Sequence, residues 1–139
     1  MKFWDSSAVV QLLVEQPGSP ALRALLGVDP VVVAWWGTPV ECVSAIARLE
    51  REGSMASTEV QAALARLDLL AEAWAQVEPG PDLQRLARRL LRTHPLRAAD
   101  ALQLAAALIA ADGEPRRLPF VCRDERLRVA ADREGLPLV

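Results

Sequence analysis

A chain of 139 residues, 52% of them apolar, is the length of one domain with a substantial core. Its net charge of −2 excludes a whole-molecule positive field, so any nucleic-acid binding must use local patches. Cys42 and Cys122 are too few for a disulfide framework and lack zinc-ligand spacing, an acid at position 5 is too early for a signal peptide, and no apolar run reaches the roughly 18 residues of a membrane span. The expectation is a single cytoplasmic domain over 1–139.

Alanine and leucine dominate, so helix should exceed strand. "KFWD" reads as a short strand and "SSAVVQLLVE" as the helix after it. A "QPGSP" turn leads to a helix through "ALRALLGV". "VVVAWW" (31–36) is a buried-type strand, β-branched and aromatic. The next helix opens on a capping-box pattern: Thr38 as cap, Pro39 at the first helical position, Glu41 as the returning arm, with Gly53 as the stop. "TEVQAALARLDLLAEA" is amphipathic, "WAQVEP" has room for a short strand, and "PDLQRLARRLLR" is a helix. "RAADALQLAAALIAADG" (97–113) is apolar almost all round, the mark of a buried helix. "LPFVC" is a strand, "DERLRVAADREG" a helix ended by Gly135, and "LPLV" a terminal strand. Strands alternating with helices predict a parallel sheet covered on both faces, with the strand-to-helix junctions along one edge.

Asp5, Glu41 and Asp124 fall at such junctions. Singly, each has an ordinary reading: Asp5 and Asp124 as N-caps, Glu41 as a capping-box arm. Together they should share the carboxyl edge of the sheet. Asp100 would join them from the first turn of the apolar helix, in register with Leu104, Ala107, Leu108 and Ala111. An acid on that stripe needs a partner, and carboxylates converging in a half-buried site repel one another. A hard divalent cation, Mg²⁺ or Mn²⁺, relieves both conditions. Acid-held metals can activate water against a phosphodiester with no histidine required. The one histidine, His94, lies in a "THP" loop and reads as a surface residue.

Arg85, Arg88, Arg89 and Arg92 share a helix face, and Arg116, Arg117, Arg123 and Arg126 surround the last strand. Either set could contact phosphate or be solvated surface; Arg123 stands beside Asp124. Trp4, Trp35, Trp36 and Trp74 suit a core or an interface. Three alternatives lose support. "DSS" lacks the Asp-x-Asp of a haloacid-dehalogenase-type phosphatase. A response-regulator receiver needs a late lysine, and the sole lysine is Lys2. No phosphate-binding glycine motif occurs.

In order and spacing, "FWDSSAVV", "TPVECVSAIARL", "LRAADALQLAAAL" and "FVCRDERLRVAADREGL" resemble PIN-domain ribonucleases, and among these the VapC-type toxins of bacterial toxin–antitoxin pairs. The resemblance spans nearly the whole chain. It implies a PIN-like three-layer α/β fold with a five-stranded parallel sheet between helices. It implies that Asp5, Glu41, Asp100 and Asp124 are catalytic and hold Mg²⁺ or Mn²⁺, with Ser6 as the hydroxyl following the first acid. It further implies an RNA substrate such as tRNA or ribosomal RNA, a cognate antitoxin, and a homodimer. Ser6, Arg123 and Arg126 are the expected substrate contacts. One departure is Cys122, where relatives carry Thr or Ser two residues before the last acid; a thiol bonds more weakly, so a water or phosphate contact there is in question. It is either a small buried filler or an oxidisable thiol. The competing reading is a non-catalytic PIN-like module that docks a protein or RNA.

Overall fold

The computed structural model describes residues 1–139. Strand β1 (Lys2–Trp4) leads into α1 (Ser6–Leu13) and α2 (Ser19–Val28). Strand β2 (Val32–Trp35) is followed by α3 (Thr38–Arg51) and α4 (Ser57–Ala73). Strand β3 (Ala75–Val77) precedes α5 (Pro81–Thr93) and α6 (Ala98–Ala110), and β4 (Phe120–Val121) precedes α7 (Glu125–Arg133). The strands form one parallel sheet in the order β3-β2-β1-β4, with Phe3 opposite both Val33 and Phe120. The chain builds β2 and β3 outward from one side of β1, then crosses back to lay β4 on the other side. The switch point of the sheet therefore lies between β1 and β4, where open α/β sheets bind ligands at their carboxyl ends.

Side chains alternate across the sheet with the period of two that the pleat imposes. Phe3, Val33, Trp35 and Phe120 face one core, shared with α5, α6 and α7. Trp4, Val32, Ala34 and Val121 face the other, shared with α1 to α4. The Phe3 and Phe120 rings stack at 5.6 Å across the β1–β4 pair. Of the tryptophans, Trp4, Trp35 and Trp74 are buried in these cores, whereas Trp36 is 51% exposed at the end of β2.

Four strands stand where five were expected. The terminal "LPLV" makes only a single parallel bridge, Leu138 to Phe120. Pro137 has no N–H to donate, so a continuous ladder cannot run through it; its carbonyl accepts from Phe120 N–H at 2.8 Å instead. The capping box at α3 is also displaced. Gly37 occupies the N-cap, Thr38 and Pro39 are already helical, and Glu41 is free of the cap. Gly53 and Gly113 do end their helices in the left-handed region, with φ of +74° and +80°.

Candidate active site

Asp5 is the N-cap of α1 and Asp124 the N-cap of α7, one after each strand of the switch-point pair. Asp5 N–H is itself bound to the Val121 carbonyl at 3.0 Å, so sheet pairing fixes their relation. The Asp5 Oδ2 accepts from Ser7 N–H at 2.9 Å and from Ser7 Oγ at 2.5 Å. Asp124 Oδ1 accepts from Leu127 N–H at 2.9 Å. Asp100, the third residue of α6, reaches back to Arg97 N–H with Oδ2 at 3.2 Å. Each aspartate thus spends one oxygen on a helix terminus. The other oxygen — Oδ1 of Asp5, Oδ1 of Asp100, Oδ2 of Asp124 — accepts no hydrogen bond from the protein. The ordinary capping reading is correct for both Asp5 and Asp124 and does not compete with the functional one.

Glu41 comes from the first turn of α3, on the opposite layer from Asp100. Ser6 Oγ donates to its Oε2 at 2.8 Å and Gln103 Nε2 to its Oε1 at 3.1 Å. Ser6, Glu41, Asp100, Arg123 and Asp124 line one cleft of about 450 Å³, which also reaches Arg48 and Gln11. Asp5 lies beneath it, 3% exposed. The expected burial of Asp100 is corrected here: it is only half-buried at the helix start, and Asp5 is the acid that is fully buried.

Burial dominates the electrostatics of the site. Burial lifts the Asp5 carboxyl above its ordinary value, outweighing the hydrogen bonds from Ser7 and Cys122, with the charge of Asp100 adding to the rise. Burial likewise pushes Glu41 up to about 7, against donation from Ser6 and Gln103, with Asp5 and Asp100 contributing repulsion. Neither Arg48 nor Arg123 forms an ion pair with these acids, although both line the cleft. As the side chains stand, no three acids close on one point. The donor set is nevertheless all oxygen, with an uncommitted oxygen on each aspartate, and that chemistry fits a hard divalent cation.

Two supporting residues carry no obvious sequence motif. Gln103 is fully buried and its amide bridges Thr38 Oγ1 and Glu41 Oε1, both at 3.1 Å. It is the only polar side chain between Asp100 and Asp112, and a lone amide in an apolar helix is a signal that a buried partner exists. Ser7 ties Asp5 to the β4–α7 loop, accepting from Arg123 N–H at 2.8 Å. Cys122 is fully buried and does not reach the cleft as a water or phosphate contact. Its Sγ donates to Asp5 Oδ2 at 3.4 Å and accepts from Asp124 N–H at 3.3 Å. Burial, with the charge of Asp5, raises its thiol above the ordinary value, and its full burial favours the small buried filler over the oxidisable thiol.

Arg126 does not line the acid cleft. It borders a separate depression of about 210 Å³ with His94, Pro95 and Arg133, because it points from the next position round α7. His94 is buried rather than a surface residue, with Nε2 2.7 Å from Glu134. In the α5 arginine stripe, Arg85 pairs with Asp82 and Arg89 with Glu134, and none of the stripe lines the acid cleft. Arg117 pairs with Glu114 at 2.5 Å.

A PIN-domain family model matches residues 2–132. Ribonuclease VapC45 of Mycobacterium tuberculosis is 33% identical over 134 residues, covering 96% of this chain and 90% of the relative, and Ribonuclease VapC49 of the same species matches equally. Among solved structures, M. tuberculosis VapC20, a sarcin-ricin loop cleaving toxin, superposes with a TM-score of 0.70 at 18% identity, covering 94% of this chain and 95% of that one. FitAcB from Neisseria gonorrhoeae superposes with a TM-score of 0.68 at 18% identity, covering 99% of this chain and 96% of that one. The structural likenesses speak for the fold; the family model and the relatives, each spanning nearly the whole chain, go further, and on their evidence this protein belongs to the PIN-domain family.

Proposed function

We propose that this chain is a divalent-metal-dependent endoribonuclease of the VapC kind, acting as the toxin of a toxin–antitoxin pair. The observation that carries the reading is the set of uncommitted carboxylate oxygens on Asp5, Asp100 and Asp124, joined by Glu41 from the opposite layer, at the switch point of the sheet. These residues would hold Mg²⁺ or Mn²⁺, which when bound supplies activated water and charge neutralisation for phosphodiester hydrolysis. The chain's own contribution is orientation. Ser7 and Cys122 hold Asp5 through one oxygen, leaving the other for metal. Ser6 and Gln103 hold Glu41 from two sides. Arg48 and Arg123, free of ion pairs in the same cleft, are placed to meet the RNA, Arg48 at a phosphate.

RNA, tRNA or ribosomal RNA in particular, is the proposed substrate, following the relatives named as ribonucleases. The proposed partner is a small antitoxin; solved neighbours include a toxin–antitoxin complex from Klebsiella pneumoniae. A groove along α3, lined by Ser6, Val40, Ser44 and Arg48, opens beside the acids and offers such a partner a path to them. The exposed apolar side chains Trp36, Val40 and Val43 give the proposed homodimer a surface to cover.

A docking-only module draws support from one observation: the acids do not converge on one point as they stand. One experiment separates the two readings. Single-stranded and structured RNA are incubated with purified protein in Mg²⁺, in Mn²⁺, and in excess chelator. Cleavage in either metal, absent in chelator and absent in Asp124→Asn, is expected. RNA binding with no cleavage in either metal would establish the docking module instead.

A further inference from the structure

The acid cleft has a second end that metal chemistry leaves unused. Gln11 of α1 and Arg123 of the β4–α7 loop line it. Gln11 Oε1 is buried and accepts no hydrogen bond. The Arg123 guanidinium has no partner; only its backbone N–H is tied, to Ser7. Gly18 walls the space between them. A Cβ there would strike Gln11 Oε1 and stand 3.6 Å from Arg123 Nη2. With φ of −84°, the position needs glycine for room and not for torsional freedom. The turn carrying Gly18 is pinned by fully buried Ser19, whose Oγ accepts from Gln16 N–H at 2.9 Å and donates to the Val14 carbonyl at 3.2 Å.

A buried acceptor left unmade at a cleft wall is costly, and here the exposed guanidinium of Arg123, free of any protein partner, stands beside it. A phosphate would answer only Arg123 and would set its negative charge against Gln11 Oε1. A ligand edge bearing two adjacent acceptors and then a donor answers both. The guanidinium forks onto the acceptors and the amide oxygen takes the donor. The terminal amide torsion is broad and Oε1 has no bond to surrender, so a turn about that torsion brings it toward the cleft that Gln11 lines. Guanine presents that pattern as N7, O6 and N1–H, and cytosine as O2, N3 and N4–H. In adenine and uracil donors and acceptors alternate along the edge, so no two acceptors adjoin.

We propose that Gln11 and Arg123, with Gly18 keeping the space open, form a base-reading notch that selects guanine or cytosine beside the scissile bond. The proposal rests on the RNA-cleavage reading. Its test uses a randomised single-stranded RNA pool, cleaved in Mg²⁺ and sequenced at the new ends, and in parallel selected for binding with Ca²⁺ in place of Mg²⁺. Wild type is expected to favour guanine or cytosine over adenine and uracil about tenfold at one flanking position, the discrimination of a good bidentate contact. Gln11→Leu, Gly18→Ala and Arg123→Lys should each flatten that position below about twofold. Arg123→Lys keeps the charge, so its loss of preference reports geometry, and Gly18→Ala meets only the end of a flexible side chain, so it keeps the fold should Gln11→Leu fail to. Cleavage with no such preference, or with one unchanged in the variants, overturns the notch and leaves the nuclease standing. Preferential binding without cleavage overturns the nuclease and leaves the notch. An RNA pool neither bound nor cut overturns both.

Discussion

Glu41 sits where burial and the neighbouring charges of Asp5 and Asp100 disfavour ionisation, and this gives the metal-free protein a signed pH dependence. Its folded value is raised from 4.5 to about 7, so across that window the folded chain binds more protons than the unfolded one. The stability contribution is complete below about 4.5 and is lost as pH rises through about 7. In excess chelator, the unfolding free energy from urea titrations should fall between about pH 5 and pH 8 by on the order of 1–2 kcal/mol after allowance for solvent screening. Glu41→Gln should shed most of that slope, with Asp5, raised in the same direction, retaining a remainder. Equal slopes in the two proteins would show that Glu41 ionises normally. Cys122 offers a second residue-scale expectation. Cys122→Ser is slightly smaller and gives Asp5 a stronger donor, so cleavage should stay within about threefold of wild type; a collapse of activity with an unchanged melt would assign the thiol a task of its own. The acids were legible in the sequence because junction position and residue type coincide. Gln103, Ser7 and Gln11 were not, because an amide or hydroxyl gains meaning only from the partner that folding brings to it, as Thr38 and Glu41 are brought to Gln103.

At the scale of elements, the His94–Glu134–Arg89 cluster joins the end of α5 to the end of α7, and none of its members lines the acid cleft. Arg89 makes a two-pronged contact with Glu134 at 2.7 and 3.2 Å, and His94 reaches the same carboxylate at 2.7 Å. The Arg89 guanidinium, followed by His94, holds Glu134 below its ordinary value. A lowered acid contributes stability above its unfolded value and loses it as pH falls. Glu134→Gln should therefore destabilise by about 1 kcal/mol near neutrality, since Arg89 is half-exposed and the pair is screened. As pH falls below the ordinary glutamate value of 4.5 the difference should narrow progressively, and RNA cleavage should be unaffected by the substitution. A variant that melts like wild type at neutral pH would make the cluster incidental. The helices themselves were readable from apolar periodicity and glycine stops. Two features were not read correctly, each for a local reason. Pro137 interrupts the ladder that a fifth strand needs, and the helix at Thr38 begins one residue early, on Gly37, which frees Glu41 from capping.

Taken as a whole, the molecule assembles its candidate centre from both sides of the sheet. Glu41 belongs to the layer with α1 to α4, Asp100 to the layer with α5 to α7, and Asp5 and Asp124 cap the helices that follow the paired strands between them. A cation shared among them would cross-link the two layers and offset the burial, with its smaller share of repulsion, that raises Asp5 and Glu41. Ligand that binds only the folded state stabilises it by mass action, about 2.7 kcal/mol at a hundredfold excess over the dissociation constant. For a domain of this size that is roughly 6–15 °C in Tm. Mg²⁺ or Mn²⁺ should produce such a rise, larger at pH 8 than at pH 5, where protonated Glu41 competes. Asp100→Asn keeps an oxygen to accept from Arg97 N–H, so its metal-free melt should match wild type or exceed it slightly, one like charge having been removed. The same substitution should abolish both the metal-induced rise and RNA cleavage. If Asp100→Asn instead lowers the metal-free Tm by many degrees, Asp100 is needed to hold α6 in place. If it leaves the metal response intact, the cation is held without α6, and the two layers are joined by packing alone.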